Sequence, residues 1–140
     1  MIQLLVVDDK PRFLTCLCRG LTEFDGDIAV VGMCADGSEV CVAAAALHPD
    51  VVLMDMRMPV MSGPDATRAL LAVLPAARVL ILAGLLTRRA LDAARRAGAV
   101  GYLLKDGDLE CLDRAIRTVA AGLTAWPDEA LIYVPALAVV

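Results

Sequence analysis

The chain has 140 residues, 13 Lys and Arg against 17 Asp and Glu for a net charge of −4, and 59% hydrophobic against 21% charged residues. That excludes a disordered chain and leaves room for one domain, which at this size buries about 70% of the surface its unfolded chain exposes. The acidic balance, with a pI near 4.8, excludes a chain that holds nucleic acid by its own charge, because phosphate binding needs clustered Lys and Arg.

Mean hydropathy is +0.70, yet Pro75 and Arg78 interrupt the longest apolar stretch, residues 69–86, short of the ~18 residues that span a membrane. The opening MIQLLVVDDK carries two acids where an export signal needs a basic start and a small-residue cleavage site, so a cytoplasmic location is expected. Cys16, Cys18, Cys34, Cys41 and Cys111 contain no C-x-x-C pair. They read mainly as core thiols of a reducing compartment rather than a disulfide or zinc framework.

In chain order, the run 2–7 is the first expected strand, and it ends in Asp8-Asp9. Pro11 can open a helix without needing a donor, and Phe13, Leu14, Leu17, Leu21 and Phe24 follow at helical spacing. A second strand over 28–33 leads to an Ala-rich helix over 38–47 that stops at His48-Pro49. The third strand, 51–54, ends at Asp55; Ser62 then caps a helix running through Leu74. The fourth strand, 79–82, ends near Ala83, and Thr87 caps a helix that stops at Gly98. A fifth strand over 100–104 ends in Lys105, and Leu109, Leu112, Ile116, Val119 and Leu123 line a fifth helix. The runs are too uniformly apolar for one-sided strands and fit parallel strands covered on both faces. Repeated β-α units of this kind give an α/β, doubly wound sheet whose ligand site lies at the carboxyl ends of the strands.

That edge collects Asp8, Asp9, Asp55 and Lys105 from three strands. A single Asp at a strand end is ordinary turn chemistry. Three carboxylates together repel one another unless a hard, oxygen-liganded cation such as Mg²⁺ sits among them. Lys105 supplies a compact positive charge for an anionic group such as a phosphoryl.

The stretches LLVVDDKP, PDVVLMDMRMPVMSG and AGAVGYLLKD resemble the receiver domain of two-component response regulators. The resemblance covers residues 2 to about 123, and RAGAVGYLLKD followed by LDRAIRTVAAG is most similar to the NarL/FixJ-type subfamily of transcription regulators. It implies a flavodoxin-like, five-stranded parallel sheet of order 2-1-3-4-5 with five helices. It further implies that Asp55 is the phosphoacceptor, with Mg²⁺ held by Asp9 and Asp55, by Asp8 mainly through water, and by the backbone carbonyl of Arg57. Lys105 would neutralise the phosphoryl oxygens, and Tyr102 would be the aromatic switch residue. The implied partners are a sensor histidine kinase or phosphotransfer protein and a second copy of the chain in a homodimer, with no membrane and no nucleic acid bound by this chain alone. Self-modification of this kind is not enzymatic turnover.

One position departs from the family pattern. The strand-four hydroxyl expected to bond the phosphoryl group is replaced by Ala83, which implies a weakened switch and leaves open a pseudo-receiver that acts as a phosphorylation-independent interaction module. A flavodoxin-like redox protein is disfavoured, because Asp8-Asp9-Lys10-Pro11 offers two repelling carboxylates where a flavin phosphate needs free N–H groups. Residues 1–123 are therefore expected to form the receiver, with 124–140 a tail or the start of a linker and no second domain. The apolar tail from Ala130 to Val140 is expected to dock on the domain or pair with another chain, and Arg88, Arg89, Arg95 and Arg96 to form a solvated basic face.

Overall fold

The apolar runs form one parallel sheet in the computed structural model, which describes residues 1–24 and 26–134, without the side chains of Pro11, Leu14, Thr22 and Phe24. The elements alternate as β1 (Ile2–Val7), α1 (Pro11–Phe24), β2 (Ile28–Cys34), α2 (Val40–Leu47), β3 (Val51–Asp55), α3 (Gly63–Val73), β4 (Val79–Ala83), α4 (Arg88–Ala97), β5 (Gly101–Leu104) and α5 (Leu109–Ala120). The strand order is β2-β1-β3-β4-β5, as the resemblance implied, with every pairing parallel.

Alternation along the central strands sends successive residues into two cores. Leu5, Val7, Val52, Met54 and Ile81 pack with α2, α3 and α4 on one face, while Leu4, Val6, Val51, Leu53 and Leu82 pack with α1 and α5 on the other. The edge strand β2 is less covered than expected for a strand buried on both faces: Met33 is exposed, because β2 has a neighbour on one side only.

The expected caps are present. Ser62 Oγ accepts from the Asp65 amide at 3.2 Å, and Thr87 Oγ accepts from the Ala90 amide at 3.1 Å. Gly98 ends α4 at φ 99°, and α2 stops at His48 in the left-handed region before Pro49. The expected second helix divides into a short 3-10 turn, Gly37–Glu39, followed by α2, because Asp36 caps the turn by accepting from the Ser38 amide.

Three expectations are corrected. Only Cys34 is a core thiol; Cys18 and Cys41 are half-buried, and Cys16 and Cys111 are exposed, since each falls on the outer face of its helix. Leu123 does not continue the face of α5: the helix ends at Ala120, Gly122 turns the chain at φ 92°, and Leu123 projects into solvent. Two of the four arginines of α4 are not simply solvated. Arg88 and Arg95 pair with Glu129 at 3.4 and 3.0 Å, and the Arg95 guanidinium lies 4.9 Å from the Trp126 ring centre.

The chain after α5 returns along the sheet. Ala125 pairs beside β5, accepting from the Tyr102 amide at 3.0 Å and donating to the Val100 carbonyl at 2.9 Å. Trp126 and Ile132 pack against the core, and the Tyr133 amide donates to the Leu86 carbonyl at 2.7 Å. The described part of the tail thus docks on the domain; its remaining residues, 135–140, lie outside the described residues, as do the side chains of Leu14 and Phe24 expected to line α1.

Candidate phosphoacceptor site

The strand order reverses between β1 and β3, which lead into α1 and α3 on opposite faces of the sheet, and the crevice at their carboxyl ends is where such folds bind ligands. Asp8 and Asp9 follow β1, and Asp55 closes β3. Their carboxylate oxygens lie within 4.8 Å of one another. Asp8 and Asp55 are buried, 1% and 3% exposed, and Asp9 is half-buried.

Lys105, just past β5, joins them. Its Nζ lies 2.8 Å from Asp8 Oδ2 and 3.0 Å from Asp55 Oδ1. The ring of Phe13, in the first turn of α1, faces the same ammonium at 4.6 Å. Burial pushes Lys105 down, but its hydrogen bonds to Asp8 and Asp55 and their charges outweigh that and hold the amine above its ordinary value. Burial pushes the Asp55 carboxyl up, the Lys105 hydrogen bond only partly opposes this, and the charge of Asp8 adds to the rise.

One ammonium therefore does not balance the site. Among the described residues, Asp55 Oδ2 and Asp9 Oδ1 are buried without a hydrogen-bond partner, an arrangement that costs free energy unless a positive group completes it. All-oxygen donors fit Mg²⁺, which favours carboxylates supplemented by water and dehydrates reluctantly.

The β3–α3 connection is folded tightly against Asp55. Gly63 donates to the Met56 carbonyl at 2.9 Å, and a Cβ at Gly63 would collide with the Asp55 carbonyl oxygen. On the far side, a cavity of about 250 Å³ opens beside Asp55, bounded by Arg57, Ala83, Thr87 and Lys105. Ala83 is buried there and brings no hydroxyl. Tyr102 lies apart from this cavity, fully buried, and donates from its hydroxyl to the Leu85 carbonyl at 2.6 Å. Burial raises its pKa and keeps that donor protonated.

Asp8, Asp9, Asp55 and Lys105 are thus brought together, Arg57 and Ala83 border them, and Tyr102 touches the loop after β4. Phe13 and Gly63 border the site as well, and their sequence context does not mark them. Phe13 reads as ordinary core from helical spacing, although its place five residues after Asp8 puts it over the same strand edge.

The model of the response regulator receiver domain matches residues 4–117. The chain belongs to the response regulator receiver family. The receiver is 39% identical over 122 residues to the response regulator GacA of Pseudomonas aeruginosa, covering 87% of this chain and 56% of that protein. It is 33% identical over 129 residues to the transcriptional regulatory protein LnrK of Bacillus subtilis, covering 92% and 58%.

Among solved structures, the receiver superposes on a LuxR-family two-component response regulator from an Aurantimonas species with a TM-score of 0.86 at 30% identity, covering 94% of this chain and 92% of that one. It matches the signal receiver domain of the response regulator NarL from Mycobacterium tuberculosis with a TM-score of 0.81 at 32% identity, covering 86% and 97%. These relatives agree with the NarL/FixJ-type resemblance. The receiver spans 51 to 64% of the length of eight curated relatives it matches. Receivers of this family are signalling domains of two-component systems.

Proposed function

We propose that the receiver takes a phosphoryl group from a sensor histidine kinase or phosphotransfer protein onto Asp55. The observation that carries this reading is the unpartnered, buried Oδ2 of Asp55, next to Lys105 and bordering a cavity large enough for a phosphoryl group. In the transfer, a carboxylate oxygen of Asp55 attacks in line, the new O–P bond forming as the P–N bond of the phosphohistidine breaks and the imidazole departs with the electron pair. Lys105 holds Asp55 in place through Oδ1 and neutralises charge on the phosphoryl oxygens.

The residues that would hold Mg²⁺ are Asp9 and Asp55 directly, Asp8 through water, and Arg57 by its carbonyl. Bound there, the ion supplies the positive charge that the three carboxylates and the incoming phosphoryl require. Turnover of a separate substrate is no part of this reading. We assign residues 1–123 to the receiver and 124–140 to an appended tail, place the protein in the cytoplasm with its kinase, and infer self-association into homodimers. No described helix is long and apolar enough to cross a membrane.

Incubation with acetyl phosphate and Mg²⁺ followed by intact-mass measurement tests the assignment. One added phosphoryl group is expected, absent in Asp55→Asn and in EDTA. Undiminished modification in either sample overturns the acceptor or the ion.

Ala83 favours a second reading, an interaction module that works without phosphorylation. It requires that no phosphoryl group be added under any of these conditions.

A further inference from the structure

We propose that residues 124–134 are a cover bound in cis to the face made by α4 and β5, held on the resting receiver and released when Asp55 is phosphorylated. This rests on the reading of Asp55 as phosphoacceptor.

The cover is attached at three places. Ala125 donates to the carbonyl of Val100, just before β5, and accepts from the amide of Tyr102 within it. Glu129 takes both Arg88 and Arg95, which lie two turns apart on one face of α4, and Trp126 stacks against Arg95. Further along, the Tyr133 amide is bonded to the Leu86 carbonyl in the loop between β4 and α4.

The third attachment connects the cover to the site. The β4–α4 loop supplies Gly84, Leu85 and Thr87 to the wall of the cavity beside Asp55. Two consecutive carbonyls of that loop are already engaged, Leu85 by the Tyr102 hydroxyl and Leu86 by the Tyr133 amide. With alanine at position 83, contact between this edge and a phosphoryl group has to come from the loop itself. A loop drawn toward Asp55 leaves the position in which Leu86 meets Tyr133, and it carries with it the start of α4, where Arg88 holds Glu129.

The individual contacts are weak. Exposed ion pairs and a surface cation–π contact are each worth little on their own, so the segment is held by their sum and opens readily. By linkage, a cover that favours the resting arrangement must also oppose phosphorylation, and loosening it must favour phosphorylation by the same factor.

Trp126 is the single tryptophan of the chain, so its fluorescence reports the cover in the chain of residues 1–140 without a label. Acetyl phosphate with Mg²⁺ is expected to red-shift Trp126 emission and lower its anisotropy in proportion to the phosphorylated fraction read by intact mass, with no change in Asp55→Asn. A sample phosphorylated by mass with unchanged Trp126 emission overturns the cover and leaves the phosphoacceptor reading standing. A sample that gains no phosphoryl group overturns that reading and the release with it. As an independent measurement, Glu129→Gln is expected to raise the phosphorylated fraction at limiting donor roughly two- to ten-fold, the scale of the two exposed pairs it loses. An unchanged fraction overturns the coupling.

Discussion

Lys105 reaches from the end of β5 to place its ammonium 3.0 Å from Oδ1 of Asp55, and this leaves the other oxygen of the same carboxylate buried with no donor among the described residues. The carboxylate of Asp55, the proposed acceptor, is therefore held at the expense of stability. In EDTA, Asp55→Asn is expected to unfold at higher temperature than the wild type. The gain should be on the scale of an unsatisfied buried polar group, about 1–3 kcal/mol. Mg²⁺ should raise the midpoint of the wild type more than that of the variant, because a ligand stabilises the state that binds it. Paired thermal unfolding in EDTA and in Mg²⁺ checks both; equal midpoints in EDTA would show that the carboxylate is already satisfied.

Ala83 can be tested by restoring what it lacks. Ala83→Thr adds a hydroxyl at the wall of the cavity beside Asp55, where the neighbouring Gly84 has open space around it. A hydrogen bond to a charged oxygen is worth about 1.5–3 kcal/mol, roughly a ten- to hundred-fold change in a two-state equilibrium. Phosphorylation should persist while the phosphorylation-dependent change of backbone chemical shifts around Tyr102 and α4 grows. A wild type that already switches fully, with no larger response in the variant, contradicts the weakened switch.

Gly63 lets the loop after Asp55 fold closely by having no side chain. Gly63→Ala pushes a methyl group into the Asp55 carbonyl, and overpacking of this sort costs about 1–3 kcal/mol. Urea unfolding should show that loss, and phosphorylation of Asp55 should slow because the carboxylate is displaced. A variant as stable as the wild type, with an unchanged phosphorylation rate, would mean that the loop gives way freely.

Hydrogen bonds from Arg95 and Arg88 hold the Glu129 carboxyl below its ordinary value of 4.5. A depressed carboxylate contributes its stabilisation above the ordinary value and loses it as pH falls through the depressed one. The groups facing Glu129 are the guanidinium groups of Arg88 and Arg95. Trp126 emission should accordingly be flat from neutral pH down to about 4.5 and shift below it. The shift should be missing in Glu129→Gln; an identical acid transition in that variant would assign it to other groups.

Much of the fold could be read from the sequence because its signals are local. The caps Ser62 and Thr87 act within three residues of themselves, and a run such as 51–54 is apolar because both faces of β3 are covered. The acids could be read as a group because strand ends in a parallel sheet share one edge. What escaped depends on contacts distant in the chain. Glu129 meets Arg95 across 34 residues, so an acid in the tail and a basic row on a helix gave no sign of belonging together. Cys16 and Cys111 are small and apolar enough to suggest a core, and only the angular position of each on its helix exposes them. Gly63 reads as a helix start, and its clearance from Asp55 depends on the path of a loop.

The backbone pairing of Ala125 with residues 100 and 102 has a colloidal consequence. A parallel sheet has two margins with unpaired amides and carbonyls, each a template on which another chain can add a strand. Here the segment at Ala125 shields one margin, while among the described residues the other, β2, pairs with β1 alone. Lifting residues 124–134 uncovers β5 and converts a molecule with one free margin into one with two. Two-sided molecules can link into open chains, whereas one-sided ones stop at pairs.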